Sequence, residues 1–304
     1  MAHILKLGTR GSPLALAQAH LAAAAITAAN GWGEERIEIV PVTTTGDKVQ
    51  DRPLSEIGGK ALWTKELDRA LGAGDVDLCV HSMKDVESDR PDAFVIAAIL
   101  PRADVRDRLI GAESIAALPS GAVVGTSSPR RSAQMLRMRP DLKVVPLRGN
   151  VETRLRKVRE GEVDASLLAA AGLDRLGIAE GAGIPVDQLL PAPGQAAIGI
   201  ECRADDRMTI EAIAAASSAD FDCVMAERAF TRSLGGTCHS PVAALATASG
   251  EFLVLRTQLL SADGRQCVED VGEFPRGDPD GPAALATAML GRAPDSIRSL
   301  FEEA

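Results

Sequence analysis

Basic side chains are concentrated in one part of this 304-residue chain. Residues 101–160 carry thirteen Lys and Arg residues against six Asp and Glu residues, whereas the whole chain has a formal net charge of −9. Most of the thirteen are Arg, whose planar guanidinium suits carboxylates and phosphates. A local positive field in an acidic protein attracts small anions without favouring nucleic acids or anionic membranes in general. The segment therefore predicts a site for a small acidic ligand.

Arg130 and Arg131 are the strongest candidates for such a site. They stand just inside the start of a helix that the Ser-Ser-Pro sequence of residues 127–129 predicts. The helix dipole disfavours cations at this end, so an anion is expected to compensate them, and a bound ligand would supply it. Exposure on a solvated helix face is the alternative, which we adopt for the basic residues within 156–159.

The segment from His81 to Asp85, His-Ser-Met-Lys-Asp, directly follows an apolar strand predicted over residues 76–80. Domains of the α/β class place functional residues at the carboxyl ends of their strands. Lys84 offers a cation there, and Asp85 offers a carboxylate that can accept N–H donors, move a proton or stabilise a developing cation. In the alternative, purely structural interpretation, Asp85 caps a helix and Lys84 is solvated.

Cys238 lies in a loop that begins with Gly235 and Gly236. A thiol in such a turn can act as a nucleophile or as an attachment point, and the alternative is a small buried hydrophobic residue. The five cysteines are odd in number and include no C-x-x-C pair, which predicts free thiols. No Cys or His pair has the spacing of zinc ligands, so we expect no metal site.

Strand and helix signals alternate through the first hundred residues. This alternation predicts parallel pairing and a doubly wound α/β lobe. A second α/β unit follows a polar crossing segment over residues 101–108. The strands of the first lobe are predicted over residues 3–7, 36–43, 76–80 and 94–100, its helices over 12–30 and 62–71, and a strand over 196–202 is predicted to return to it.

Residues 8–13 and 125–129 repeat one local pattern, in which a strand ends in Gly-Thr and a Ser-Pro pair opens a helix. Free N–H groups at such helix starts bind anions. Two lobes facing each other would then form a cleft lined by anion sites. A pair of ordinary strand-to-helix turns is the alternative interpretation.

These signals predict three domains. Residues 1–100 with 196–216 form domain 1, residues 101–195 form the Arg-rich domain 2, and residues 217–304 form a small α+β domain 3 that carries Cys238.

Composition excludes several classes of protein. Aromatic residues make up 3% of the chain and Tyr is absent, which argues against RNA-binding modules that stack bases on aromatic side chains. No apolar run reaches the ~20 residues that a membrane helix needs. Gln18 and His20 interrupt the apolar core that a signal peptide would need. We therefore expect a cytoplasmic protein without nucleic-acid or membrane partners.

Taken together, these segments resemble the porphobilinogen deaminase (hydroxymethylbilane synthase) family. They occur in the family's order and span nearly the whole chain. The matching stretches are residues 8–18 (GTRGSPLALAQ), 58–60 (GGK), 65–67 (KEL), 81–86 (HSMKDV), 125–131 (GTSSPRR), 148–154 (RGNVETR), 191–203 (PAPGQAAIGIECR) and the Cys238 loop.

The resemblance implies two lobes similar to type II periplasmic binding proteins and a small third domain. It implies a cytoplasmic, monomeric transferase of tetrapyrrole (haem, porphyrin) biosynthesis. Such an enzyme condenses four porphobilinogens head to tail into hydroxymethylbilane and releases ammonia. It also implies a dipyrromethane cofactor joined by a thioether to the sulfur of Cys238.

Site residues follow from the same resemblance. Asp85 is implied to be the catalytic residue, a buried acid that faces pyrrole N–H groups and stabilises the cation left by loss of ammonia. A loop over residues 48–60, with Lys60 and Trp63, is implied to cover the site. The implied cofactor ligands are Lys84, Thr126, Ser128, Arg130, Arg131 and Arg154, and the implied substrate ligands are Arg10, Ser12, Gln18, Arg148 and Arg154.

Two other functions are weighed against this one. A non-catalytic, two-lobed anion-binding protein explains the Arg cluster and the paired helix starts, but it needs neither Cys238 nor Asp85. A cysteine hydrolase that uses Cys238 needs a distant histidine, for which His81 is the candidate.

Overall fold

The structure is a computed structural model that describes residues 4–43, 64–235 and 240–302. The chain divides into two compact units, each made of two segments. The first unit comprises Met1–Ala103 and Ala197–Phe221, and the second comprises Asp104–Ala196 and Asp222–Ala304. The division into three domains stays a prediction. Lys60, Trp63 and Cys238 lie outside the described residues, as does the predicted covering loop.

Strands and helices follow one another along all the described parts of the chain. Residues 4–103 form β1 (Leu5–Arg10), α1 (Pro13–Asn30), β2 (Ile37–Val42), α2 (Lys65–Ala73), β3 (Leu78–Ser82) and β4 (Phe94–Ile99). Residues 104–196 form β5 (Asp107–Ile110), β6 (Val123–Gly125), α3 (Pro129–Met138), β7 (Lys143–Val145), α4 (Val151–Arg159), β8 (Ala165–Ala169), α5 (Ala170–Arg175) and β9 (Ala182–Gly183). Residues 197–302 form β10 (Ile198–Arg203), α6 (Arg207–Ala214), α7 (Phe221–Ser233), β11 (Val242–Ser249), β12 (Phe252–Leu260), β13 (Cys267–Pro275), α8 (Asp280–Arg292) and α9 (Asp295–Glu302).

The sheet of the first unit has the strand order β2-β1-β3-β10-β4. The predicted return of the chain to this sheet is confirmed, because β10 lies between β3 and β4. Parallel pairing is confirmed for β1 with β2 and β3, whereas β10, for which no direction was predicted, runs antiparallel to both neighbours. A parallel pair needs a crossover connection, usually a helix. β10 instead follows a long excursion through the second unit, so no crossover helix sets its direction.

The second unit repeats this arrangement, with the order β7-β6-β8-β5-β9. β6 is parallel to β7 and β8, and β5 is antiparallel to β8 and β9. β1 and β6 occupy equivalent places, since each has two parallel neighbours and is followed by a helix. The local repeat in the sequence therefore marks equivalent strand-to-helix turns of two α/β sheets.

The starts of α1 and α3 confirm the capping predicted from Ser-Pro. The Ala15 N–H donates to Ser12 Oγ at 3.3 Å, and the Arg131 N–H donates to Ser128 Oγ at 3.4 Å. Each proline follows its cap, where its missing N–H is not needed. α1 ends at Gly31, whose left-handed φ of 65° is favourable for glycine.

The C-terminal part of the second unit is an antiparallel sheet, β11-β12-β13, covered by helices. Its core is apolar and includes Phe230 of α7, Leu255 of β12, Met289 of α8 and Ile297 of α9. It is the small α+β element predicted for the end of the chain. In the parts of the chain that the structure describes, no helix combines the length and apolarity that a membrane crossing requires.

Candidate active site

The end of β3 carries the predicted catalytic segment of the first unit. A short 3-10 turn, Met83–Asp85, follows the strand directly, and the Val86 N–H closes it on the Met83 carbonyl at 3.3 Å. Asp85 is the last residue of this turn and caps no helix start. Its side chain is exposed, so the expectation of a buried acid is wrong: the turn carries Asp85 beyond the buried end of the strand.

His81 and Gln18 lie behind this turn and have partners within the first unit. His81 is 5% exposed, and its Nε2 lies 3.0 Å from Glu201 Oε2. Gln18, on α1, is 4% exposed, and its Nε2 and Oε1 lie 2.8 and 3.1 Å from Ser82 Oγ. These contacts connect β3 to β10 and α1. A role of Gln18 in substrate binding stays a prediction.

Arg10 and Ser12 stand at the turn from β1 to α1, and both are partly buried. The Ser12 hydroxyl caps α1. Arg10 is the last residue of β1, so the parallel pairing of β1 with β3 puts it at the same sheet edge as the turn that carries Lys84 and Asp85. Within the first unit, the structure thus brings Arg10, Ser12, Lys84 and Asp85 to one edge.

In the second unit, Arg130 and Arg131 lie at the start of α3 and are buried, 3% and 6% exposed. Asp107, at the start of β5, compensates both: Arg130 Nη2 donates to its Oδ2 at 2.8 Å and Arg131 Nη2 to its Oδ1 at 2.6 Å. The anion that was predicted to compensate these two arginines is therefore, at least in part, the carboxylate of Asp107. The other Nη atoms donate to main-chain carbonyls of Leu190 and Leu167, at 2.7 and 3.0 Å.

The two guanidinium groups carry one more charge than the single Asp107 carboxylate can neutralise. Burial opposes ionisation of Asp107, but the charges and hydrogen bonds of Arg131 and Arg130 outweigh it and hold its pKa well below the ordinary value. Burial lowers the pKa of Arg130. The Nε atoms of Arg130 and Arg131 are buried and find no hydrogen-bond partner among the described residues. Two buried N–H donors are thus left for a further acceptor.

Thr126 and Ser128 precede this helix. Thr126 is buried, and its Oγ1 accepts the Ser128 N–H at 3.2 Å. Both hydroxyls therefore hold the turn from β6 to α3. They lie beside the arginines at the carboxyl end of β6, as the sequence predicts.

Arg148 and Arg154 flank the start of α4. Asn150 caps that helix by accepting the Thr153 N–H at 2.9 Å, and Arg154 Nε donates to the Gly149 carbonyl at 2.9 Å. Gly149 has a φ of 112°, and a Cβ there would stand 2.5 Å from Thr153 Cγ2. Glycine is required for this turn, which sets the start of the helix next to Arg148.

Two acidic residues of the site region were not singled out from the sequence. Asp107 is the first residue of β5, and Glu201 lies among the apolar residues of β10, where it is 0% exposed. For Glu201 the signal was a charge among apolar strand residues, since such a charge needs a buried partner. The sequence does not say which partner. Asp107 gave no such signal, because it lies in a segment with other charged residues. Within the described ranges, no three His, Cys, Asp or Glu side chains are grouped so as to hold a metal ion.

Known proteins similar to this chain were found at the level of structure and of sequence. The periplasmic VFT2 domain of BvgS from Bordetella pertussis matches 70% of this chain and 86% of its own, with 16% identity and a TM-score of 0.41. Porphobilinogen deaminase of Sphingopyxis alaskensis is 55% identical over 305 residues, covering 98% of this chain and 96% of that protein. The enzyme of the same name from Paracoccus denitrificans is 49% identical over 298 residues, covering 95% of each.

Two family models cover most of the chain. The model described as "Porphobilinogen deaminase, dipyromethane cofactor binding domain" matches residues 5–211, and the model described as "Porphobilinogen deaminase, C-terminal domain" matches residues 221–286. The chain belongs to the porphobilinogen deaminase family.

Proposed function

We infer that this chain is a hydroxymethylbilane synthase, a transferase of porphyrin and haem biosynthesis. It joins four porphobilinogen molecules head to tail into a linear tetrapyrrole and releases one ammonia for each. The observation that carries this conclusion is the match of the two family models along the chain, together with relatives of that activity over nearly its whole length. A non-catalytic anion-binding protein is not favoured, since it leaves this match unexplained.

We propose that Arg130 and Arg131 bind carboxylates of the dipyrromethane cofactor. The fit rests on the excess positive charge of their cluster with Asp107 and on the two buried Nε donors without a partner among the described residues. Acidic pyrroles carry the carboxylates that such donors suit. When bound, the cofactor supplies the pyrrole carbon to which the first substrate is joined. Thr126, Ser128, Lys84 and Arg154 are the further ligands that we propose for it.

Asp85 is the proposed catalytic residue. Its carboxylate is exposed beyond β3, and no hydrogen bond or ion pair joins it to another residue of the described ranges. An exposed carboxylate at a strand end is open to pyrrole N–H donors. A negative charge held there stabilises the cation that porphobilinogen becomes when ammonia leaves, and it can take up a proton.

Substrate carboxylates are proposed to bind Arg10, Ser12, Arg148 and Arg154. Guanidinium groups bind carboxylates with two parallel hydrogen bonds, which orients the ring as well as holding it. Gln18 is proposed to assist by holding Ser82, since both of its amide atoms lie within hydrogen-bond distance of that hydroxyl. Oriented binding of this kind raises the effective concentration of the reacting carbons.

Cys238 is the proposed attachment point of the cofactor, through a thioether at its sulfur. In the sequence it follows α7 (Phe221–Ser233) by five positions and comes shortly after Gly235 and Gly236. We also propose that the chain forms three domains, with Cys238 in the third, and that it acts as a monomer in the cytoplasm. Light scattering on a sizing column tests the monomer.

Intact-mass spectrometry tests the attachment. We expect the purified protein to be heavier than its sequence by one dipyrromethane and to react with Ehrlich's reagent. Cys238→Ser is expected to have the bare sequence mass and no activity. Cys267→Ser is the matched control, since Cys267 is a partly exposed cysteine of the same C-terminal region and keeps the added mass. An added mass that persists in Cys238→Ser would place the attachment elsewhere.

Ammonia release separates the enzyme from the binding protein. Holoenzyme mixed with porphobilinogen is expected to release ammonia and to form a linear tetrapyrrole, which cyclises with loss of water to a porphyrinogen that added oxidant converts to a coloured porphyrin. Binding of porphobilinogen without ammonia release would instead support the non-catalytic alternative.

A further inference from the structure

One buried carboxylate closes the loop that carries Lys84 and Asp85. Glu201 of β10 is 0% exposed, and its Oε2 lies 3.0 Å from His81 Nε2 at the start of this loop. Arg90, at the end of the loop, donates to the same carboxylate from Nε to Oε1 at 2.8 Å and from Nη2 to Oε2 at 2.9 Å. Both ends of residues 81–90 are thus held by one side chain.

Arg90 extends this contact to helix α2. Its Nη2 donates to Asp68 Oδ1 at 2.6 Å and its Nη1 to Asp68 Oδ2 at 3.2 Å. The Nη1 atom also lies 3.4 Å from Thr64 Oγ1 and 3.4 Å from Glu87 Oε2. The guanidinium therefore binds two carboxylates at once, with fixed fork geometry. Strand β10, helix α2 and the loop meet at this one cation, whose side chain is 9% exposed.

The turn itself has further supports on the same side. The Met83 N–H donates to the Ala197 carbonyl at 3.1 Å, ahead of β10. Met83 is buried and packs where a Cβ of Gly199 would otherwise stand. Ser82 is held by Gln18. These contacts leave Asp85 exposed while the turn around it is anchored, so the position of its carboxylate depends on the anchors.

The buried charge of Glu201 depends on both of its partners, His81 and Arg90. Burial opposes ionisation of Glu201, but the hydrogen bonds and charges of His81 and Arg90 outweigh it and lower its pKa to about 2. A buried carboxylate that loses one cation is left uncompensated, and the surrounding structure shifts to reach water or another partner. Loss of Arg90 would therefore move the loop and not simply remove a contact.

We propose that Arg90 and Glu201 are positioning residues for the reaction, which set the place of the Asp85 carboxylate by closing the loop of residues 81–90 on one buried ion pair. This inference rests on the proposed role of Asp85. It assigns to Arg90 no contact with substrate or cofactor. A displacement of about 1 Å in a catalytic group can lower a rate by about 100-fold, which sets the scale of the effect.

Arg90→Met in the holoenzyme tests the proposal. We expect kcat for porphobilinogen consumption to fall by about 10- to 100-fold, with KM little changed and with the cofactor still present by intact mass. Arg90→Lys keeps the charge but not the fork, so we expect an intermediate kcat. If Arg90→Met fails to fold, Arg90→Lys carries the test, and a wild-type kcat in it overturns the proposal.

Arg203→Met is the matched control. Arg203 holds the other end of β3, where its Nη1 donates to the Leu71 and Val76 carbonyls at 3.1 and 2.9 Å and its Nη2 lies 3.3 Å from Asp77. We expect Arg203→Met to lower the free energy of unfolding about as much as Arg90→Met does, but to have the kcat of the wild-type enzyme. Equal kcat losses in Arg203→Met and Arg90→Met at equal stability would show a merely structural role and overturn the proposal.

The double variant Asp85→Asn with Arg90→Met separates this inference from the proposed function. If Arg90 acts through Asp85, the double variant has the same kcat as Asp85→Asn alone, because the carboxylate that Arg90 positions is already absent. If Arg90→Met lowers kcat by the same factor in the Asp85→Asn variant as in the wild-type enzyme, the positioning role is overturned. A fully active Asp85→Asn single variant would instead remove Asp85 from the proposed function, whatever Arg90 does.

Discussion

At the scale of single residues, Asp107 and Asp85 are two carboxylates in opposite settings. Asp107 is 1% exposed and bound by two guanidinium groups, whereas Asp85 is exposed. Burial of an acid as an anion is tolerated only when cations and hydrogen bonds compensate it, and such an acid stays ionised at neutral pH. The exposed acid is open to a substrate. The first therefore suits holding the two arginines in place, and the second suits proton transfer and stabilisation of a cation.

Asp85→Asn is expected to reduce turnover by about 100-fold or more, because the amide carries no charge to stabilise a cation or take up a proton. Intact mass should still show the cofactor. The rate of porphobilinogen consumption by the holoenzyme is the measurement. Asp89→Asn is the control, since Asp89 is an exposed acid of the same loop. Full activity in Asp85→Asn, or an equal loss in Asp89→Asn, would contradict the assigned role.

Arg131→Leu is expected to lower the free energy of unfolding by about 3 kcal/mol, because it removes one partner of a buried ion pair. We also expect the variant to lack the cofactor mass. Asp107→Asn is the comparison: it leaves two buried guanidinium groups uncompensated and loses similar stability, but it keeps both donors. Denaturant unfolding and intact mass are the measurements. Loss of the cofactor in both variants alike would mean that the arginines only support the fold.

At the scale of elements, the turns between strands and helices decide where basic side chains stand. The start of α4 is the clearest case, because Gly149 and the cap Asn150 determine how the helix begins between Arg148 and Arg154. A left-handed φ at Gly149 and the close approach of Thr153 leave no room for another residue. The turn, and not the helix face, therefore sets the position of these two arginines.

Gly149→Ala is expected to raise KM for porphobilinogen by about tenfold, as when one hydrogen bond to a charged group is lost. Steady-state kinetics is the measurement. Gly161→Ala is the control: its φ of +73° is also positive, but at this position, at the far end of the same helix, the added Cβ meets no neighbouring side chain. A similar rise of KM in both variants would mean that loss of helix stability alone explains the effect.

At the scale of the whole molecule, each compact unit contains a buried carboxylate held as an anion. Glu201 lies in the first unit and Asp107 in the second. Burial opposes ionisation of both, and neighbouring cations more than offset it, so the pKa of each is lower than in an unfolded chain. Both units should therefore be sensitive to acid.

Acid is expected to destabilise the protein in a defined range of pH. Since the pKa of Glu201 falls from an ordinary 4.5 to about 2 on folding, its contribution is complete above about pH 4.5 and declines as the pH falls toward 2. Asp107 acts in the same direction. Thermal unfolding midpoints at pH 7, 5 and 3.5 are the measurement. Glu201→Gln should have a lower unfolding midpoint than the wild type at pH 7, and its midpoint should fall less than that of the wild type between pH 5 and 3.5. An identical decline in this variant would show that other groups cause the acid sensitivity.

Local signals in the sequence predicted a large part of the fold. Ser12 and Ser128 with their prolines predicted two helix starts, and the strand near residues 196–202 was predicted to return to the first sheet. Four strands were missed, β5, β8, β9 and β11. β5 begins inside the segment that was predicted to be a polar crossing, and β9 has only two residues. β8 and β11 are short apolar runs rich in alanine, which do not show whether they are strands or buried helix turns. The antiparallel direction of β10 also escaped prediction, since direction depends on the path of the whole chain.

The sequence by itself determined which residues are candidates for the chemistry, because residue types and their local spacing, Arg130 beside Arg131 or Lys84 beside Asp85, are properties of short segments. Only the tertiary structure decided how those residues are compensated. Asp107 meets the two arginines from 23 and 24 positions away, and Glu201 meets Arg90 from 111 positions away. The physical reason is that a buried charge needs a partner in space, and the packing of strands selects that partner without regard to distance along the chain.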